Sequence, residues 1–184
     1  WQNLTITEEE LPKFFNDSEN IGVKLGAHSN WLVDIDLDCE EAIQAAAYFL
    51  PTTNAVFGRE RKPYSHYLYY CINSITTKYQ YNKMICELRS TGTQTVFPPS
   101  VHPSGDFYIW NKQGEPGEIS FNSLKRAVAK LASCVLLAWN YPGRGTRQDA
   151  ILPLTGWLFR GGWSEEEIEN FITALCAIAQ DEEV

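Results

Sequence analysis

Val33-Asp34-Ile35-Asp36-Leu37-Asp38 is the stretch on which the reading of this chain turns. Successive side chains of a β-strand project to opposite faces. Val33, Ile35 and Leu37 are therefore expected to enter a core, while Asp34, Asp36 and Asp38 emerge together on the other side. Like charges on one strand face repel, so the pattern calls for water or for a cation. A solvated strand face is the plainer reading. Two carboxylates set two residues apart can instead grip one or two Mg²⁺ ions, and within an apolar strand that reading is preferred for Asp34 and Asp36. Asp38 stands just before the next helical stretch and is expected to cap it. A calcium-binding loop opens with a similar D-x-D-x-D pattern, but Cys39 occupies the place of its Gly and Ala45 that of its bidentate Glu.

Outward from this strand the chain alternates short β-prone and helical stretches. Thr7 followed by Glu10 is a capping-box pattern that starts a short helix, limited by Pro12. Residues 20–25 alternate and end at Gly26, which predicts a strand and a turn. Residues 31–37 form the next strand, and residues 40–50 are Ala-rich and helical until Pro51. Further strands are expected at residues 66–72, 84–89, 93–97 and 107–110. Beyond Gly117 the character changes to helix, at residues 120–139, 146–159 and 164–179, with Pro153 able to kink or split the second. Ser164 followed by acids 165–167 is a strong helix start, because Ser caps and acids suit the positive end of the dipole. The chain thus divides into an α+β body, residues 1–119, and a helical segment, residues 120–184.

Bulk properties narrow the field. A chain of 184 residues with 44% hydrophobic content supports one well-filled core. No apolar run approaches the roughly 18 residues needed to span a membrane; the longest, near Val135 to Trp139, is far shorter. Nothing at the start reads as a secretory signal, and the opening at Trp1 suggests a piece of a longer protein. The cysteines Cys39, Cys71, Cys86, Cys134 and Cys176 are odd in number and scattered, which fits reduced, mostly buried thiols in a cytoplasmic protein. None has zinc-like spacing, so no zinc site is expected. The net charge of −8 argues softly against a general nucleic-acid binder. Most of the excess lies in three runs, at residues 8–10, 165–167 and 181–183, while basic residues gather at Arg59, Arg61 and Lys62, at Lys125, Arg126 and Lys130, and at Arg144 and Arg147.

Three other residues carry potential chemistry. Glu87 is an acid among apolar neighbours in Met84-Ile85-Cys86-Glu87-Leu88-Arg89, where it either completes a carboxylate cluster or pairs with Arg89 on the same face. His66 opens an aromatic strand after the basic stretch that starts at Arg59, a setting suited to a phosphate as well as to a structural role. His102 lies in Pro98-Pro99-Ser100-Val101-His102-Pro103-Ser104-Gly105, where three prolines make either a pre-shaped loop or a rigid turn.

The ordered motifs D-I-D-L-D, then G-R-x-x-K-P-x-S-H, then E-L-R-x-x-G-x-Q-T-V-x-P-P-S-x-H-P-S-G resemble the bifunctional DNA primase/polymerase domains of plasmids, phages and integrated elements. These belong to the archaeo-eukaryotic primase superfamily. The resemblance covers residues 18–110, and residues 143–167 resemble the helical segment that follows the domain in many members. It implies a primase-like catalytic core, an RRM-like mixed sheet with flanking helices, followed by the helical tail. Asp34 and Asp36 match the motif that binds catalytic metals, Ser65 and His66 the motif whose His meets the nucleotide's phosphates, and Glu87 the acid that completes the metal site. Arg59, Lys62, Arg89, Gln94, Ser100 and His102 fall in the surrounding pattern as nucleotide or template contacts. A β-α stretch usually precedes the position of Trp1, and is expected upstream of the given sequence.

The implied activity is template-dependent nucleotidyl transfer by a DNA primase or DNA polymerase. It would use two Mg²⁺ or Mn²⁺ ions, dNTPs or NTPs, a single-stranded DNA template and a primer, with a helicase domain often following in relatives. Two other classes remain. A metal-dependent nuclease also needs clustered acids, although Arg89 stands where the common D…E-x-K pattern has Lys. A template-binding replication module with a decayed site would bind DNA without synthesis.

Overall fold

The computed structural model describes residues 5–15 and 19–181. Trp1 and acids 182–183 of the C-terminal run lie outside the described residues. Near the start, the Glu10 carboxylate accepts from the Thr7 N–H at 3.1 Å, the return bond of a capping box, and also from the Thr7 hydroxyl at 3.0 Å. A short helix follows, α1 (Leu11–Phe14), with Pro12 in its first turn, where its missing N–H is tolerated.

The remaining elements are β1 (Ile21–Lys24), β2 (Leu32–Leu37), α2 (Glu40–Phe49), β3 (Ala55–Arg59), β4 (Lys62–Tyr70), β5 (Thr77–Tyr81), β6 (Lys83–Arg89), β7 (Gln94–Phe97), β8 (Tyr108–Gln113), β9 (Gly117–Glu118), α3 (Phe121–Trp139), α4 (Arg147–Arg160) and α5 (Glu165–Ile178). The expected α+β class is therefore what the structure shows. Strands β5-β6-β2-β4-β3-β8 form one sheet in that order, antiparallel throughout, with β9 added in parallel to β4. Strands β1 and β7 form a separate antiparallel ribbon.

Three strands, β3, β5 and the two-residue β9, were not anticipated, and β4 begins four residues before the expected position. Strand β3 is buried almost throughout, so it shows no alternation to read. Strand β5 lies at the sheet edge and is largely exposed and polar. Strand β4 passes through Pro63 because the β3–β4 pairing shifts register between Phe57 and Arg59, and Pro is accepted at such irregularities. Asp38 does not cap α2: the N-cap residue is Cys39, and Asp38 instead donates its backbone N–H to Ile85. Helix α4 runs unbroken through Pro153.

Alternation along β2 sorts the molecule into layers. Val33, Ile35 and Leu37 join Tyr69, Cys86 and Leu88 in a buried cluster with Ala42, Ala45 and Ala46 of α2, Leu124, Val128, Leu131 and Val135 of α3, and Phe171, Ala174 and Leu175 of α5. The helices thus cover one face of the sheet and share its core. On the opposite face Leu32, Phe57 and Leu68 pack with Leu25, against Val23 of β1, Phe97 of β7, and Tyr108 and Trp110 of β8. The ribbon β1–β7 is held there by a tight crossing. Leu25 N–H donates to Thr93 (3.1 Å), and at Gly26, where φ is +75°, a Cβ would overlap the Thr91 backbone. All six residues of β2 are buried in consequence, so its acidic face is covered and not a solvated one.

Because α3 contributes to the core of the sheet, Leu131→Ala is expected to destabilise the whole protein by about 2–5 kcal/mol. Urea unfolding followed by circular dichroism would show it as a lower midpoint in a single transition.

Candidate active site

The covered acidic face carries most of the residues expected to do chemistry. In the antiparallel pairing Asp36 lies directly opposite His66 on β4 and directly opposite Glu87 on β6, while Asp34 lies opposite Arg89. Directly paired residues project to the same side. Asp34, Asp36, Glu87, Arg89 and His66 therefore converge on one face, drawn from three adjacent strands. Asp34 is fully buried and Asp36, His66 and Glu87 are at most 8% exposed.

Positive groups interleave with the acids. His66 Nδ1 lies 3.0 Å from Asp34 Oδ2 and 3.6 Å from Asp36 Oδ1. The Arg89 guanidinium bridges Asp36 at 2.5 Å and Glu87 at 2.9 Å, and Lys78 approaches Glu87 at 3.6 Å. Both readings of Glu87 are thus realised together, since it joins the cluster and also pairs with Arg89. Burial, with Asp34 adding to it, pushes the Asp36 carboxyl up to about 6 against the opposing pull of His66 and Arg89. Burial alone would lower the proton affinity of His66, but Asp34 outweighs it and the net shift is upward, favouring the imidazolium. Phe57 stacks on the His66 ring at 4.6 Å with planes 11° apart, which fixes the ring's orientation.

One oxygen stands apart. Asp34 Oδ2 accepts from Thr95 Oγ1 at 2.7 Å as well as from His66, yet the buried Oδ1 has no hydrogen-bond partner. An unsatisfied buried acceptor costs about 1–3 kcal/mol, more when charged. A divalent cation would relieve that cost, so the donor set fits a metal in charge and in ligand type. Among the described residues no trio of His, Cys, Asp or Glu is drawn up as a ready-made cage. Arg89 supplies the positive charge between Asp36 and Glu87.

A second polar cluster adjoins the first. His102 Nδ1 accepts from Arg59 Nη1 at 3.2 Å and from the Ser104 N–H at 3.1 Å, which leaves Nε2 as the protonated ring nitrogen. Ser104 donates to the buried Asp106 at 3.0 Å, and Arg59 and Arg61 approach the same carboxylate at 3.9 and 3.3 Å. The Tyr108 ring sits 6.2 Å from both His66 and His102 and links the clusters. Lys62 is half-buried nearby; burial raises the proton affinity of Asp38, and the Lys62 charge offsets part of that rise.

Three expected residues fall elsewhere. Ser65 neighbours His66 on β4 and so faces the other way, its hydroxyl donating to the Lys62 carbonyl. Gln94 is exposed on the outer side of β7, whereas its neighbour Thr95 points into the site. Ser100 is buried and its hydroxyl accepts from the Ile21 N–H at 2.8 Å, pinning β1. Thr95, Asp106 and Tyr108 were missed. Phe97, two residues from Thr95 and packed with Phe57, marks the inward side of β7, and alternation from it would have found Thr95. The cysteines are free, all but Cys39 buried, and no described helix is long and apolar enough to cross a membrane.

Residues 1–122 match the family model described as the N-terminal domain of bifunctional DNA primase/polymerase. No curated protein and no solved structure matches the chain.

The raised Asp36 affinity has a consequence for stability. Between the ordinary carboxyl value of 3.8 and about 6 the folded state holds a proton that the unfolded state has lost. Without divalent metal, the melting temperature of the wild-type protein is expected to fall relative to Asp36→Asn as pH rises through that window. Scanning calorimetry in a chelator from pH 4 to 7 checks it; a difference that stays flat or grows in favour of the wild type would refute the assigned burial.

Proposed function

The chain belongs to the bifunctional DNA primase/polymerase family, and on that premise we propose that nucleotides are joined on a DNA template at the face carrying Asp34, Asp36, Glu87 and His66. Membership makes the protein a nucleotidyltransferase in the general sense, with DNA and nucleotides as its substrates. The finer reading is a two-metal site for template-dependent synthesis by primase or polymerase chemistry. The observation that carries it is the buried, partnerless Oδ1 of Asp34 beside the buried carboxylates of Asp36 and Glu87.

Mg²⁺ or Mn²⁺ held by Asp34, Asp36 and Glu87 would supply the charge that activates the attacking hydroxyl and stabilises the leaving pyrophosphate. The reaction joins the primer 3′-oxygen to the α-phosphorus of the incoming nucleotide as the bond to pyrophosphate breaks, and the hydroxyl proton leaves to solvent. In synthesis without a primer a second nucleotide provides the hydroxyl. The protein's own part is positioning and charge, which is most of what in-line displacement needs. His66, held through Nδ1 by Asp34, offers Nε2 as a donor to a phosphate oxygen. Arg59 and the Nε2 of His102 offer further donors on the other side of the Tyr108 ring. Arg89 keeps the carboxylates compatible with one another until phosphate and metal charges share that task. Replication of a plasmid, phage or other mobile element, with a helicase in the parent chain, is the setting that the resemblance suggests.

A labelled primer on a single-stranded template, with Mg²⁺ or Mn²⁺ and dNTPs or NTPs supplied separately, tests this reading. Extension that needs nucleotides supports it. Shortening without nucleotides would point to a nuclease, and DNA binding without synthesis to an inactive template-binding module. Asp36→Ala is expected to reduce synthesis by on the order of 10³-fold while leaving the circular dichroism spectrum unchanged. Synthesis at the wild-type rate by this variant would overturn the site assignment.

A further inference from the structure

We propose that Thr95 is a positioning residue that aims the Asp34 carboxylate at the metal. The proposal rests on the metal reading of the site given above. Thr95 is 2% exposed and lies on β7, in the ribbon, whereas Asp34 lies on β2, in the large sheet. The Thr95 hydroxyl crosses the gap between the two sheets and donates to Asp34 Oδ2 at 2.7 Å. A buried hydroxyl on a strand needs an acceptor, and this one takes the carboxylate of the site.

The consequence for Asp34 follows from counting lone pairs. Oδ2 receives two donors, Thr95 Oγ1 and His66 Nδ1. With both in place the carboxylate cannot turn without breaking a buried hydrogen bond, and Oδ1 is the oxygen left over. Thr95 and His66 together thus fix which oxygen is available to a cation and in which direction it points. Outer hydrogen bonds of this kind orient carboxylate ligands and typically change metal affinity 10–100-fold when removed. Arg89 Nη1 donates to the same hydroxyl at 3.5 Å, so Thr95 also touches the guanidinium that bridges Asp36 and Glu87.

Position 95 is held by the backbone pairing Val23↔Thr95, which is independent of the hydroxyl. Thr95→Val keeps the shape and strand preference and deletes the hydroxyl's hydrogen bond to Asp34, together with the long contact from Arg89, while Thr95→Ser restores both. Mn²⁺ titration followed by electron paramagnetic resonance, without nucleotide, reads the metal directly. Thr95→Val is expected to weaken Mn²⁺ binding about tenfold or more, Thr95→Ser to stay near wild type, and the KM for nucleotide at saturating metal to be unchanged in both. If the valine variant does not fold, Thr95→Ala set against Thr95→Ser makes the same comparison. Wild-type Mn²⁺ affinity in the valine or alanine variant, with Asp34→Asn impaired, would overturn the role of Thr95 alone. A serine variant as weak as the valine one would overturn it too, since the effect would then be packing. Wild-type affinity in Asp34→Asn would remove the metal reading itself, and the proposal with it.

Discussion

Asp34, Asp36 and Glu87 sit side by side on one face of a sheet with almost no contact with water. Taking an ionised carboxylate out of water costs several kcal/mol, and neighbouring acids raise that cost further. The cluster is tolerable only if positive charge is built in beside it. The structure answers with His66 against Asp34, Arg89 across Asp36 and Glu87, and Lys78 at the rim. It answers incompletely: the Asp36 carboxyl is pushed up to about 6, and one oxygen of Asp34 has no partner. Both features are what the proposed metal would relieve.

The fold can be understood as what holds that arrangement dry and in register. Helices α2, α3 and α5 bury the apolar side of the sheet, which frees the other side from any need to face a core of its own. The ribbon β1–β7 then closes over part of that second side, with Leu25, Phe57 and Leu68 packed beneath it and Thr95 reaching to Asp34. Register between β2, β4 and β6 sets Asp36, His66 and Glu87 in one row, so a slip by one residue would turn every one of them into the helical layer.

Much of this was legible in the sequence because β2 obeys alternation. Val33, Ile35 and Leu37 read inward and Asp34 and Asp36 read together without any tertiary information. The class and most elements followed from the same periodicities, and the ordered motifs named the family that the match to residues 1–122 then showed. What failed has physical reasons. Strand β3 is buried almost throughout, and β5 is a short, largely exposed edge strand with only Thr77 and Tyr79 half-buried, so neither gives a strong alternation. Burial of the acidic face depends on a ribbon formed by residues 21–24 and 94–97, which are far apart in sequence. Ser65 and Gln94 were grouped with the site by motif, and alternation places each on the face opposite the neighbour that does take part, His66 and Thr95. Asp38 was expected to cap α2, but the chain stays extended for one residue more and Cys39 takes that place.

The central claim is that the three carboxylates jointly hold metal where nucleotide binds. The most direct test is an anomalous difference map from crystals grown with Mn²⁺ and a non-hydrolysable nucleoside triphosphate analogue. The account predicts Mn²⁺ within coordination distance of Asp34, Asp36 and Glu87, with Oδ1 as the contacting atom of Asp34 and the triphosphate on the side of His66. Mn²⁺ bound to the triphosphate but away from these carboxylates, with Arg89 still bridging Asp36 and Glu87, would contradict it.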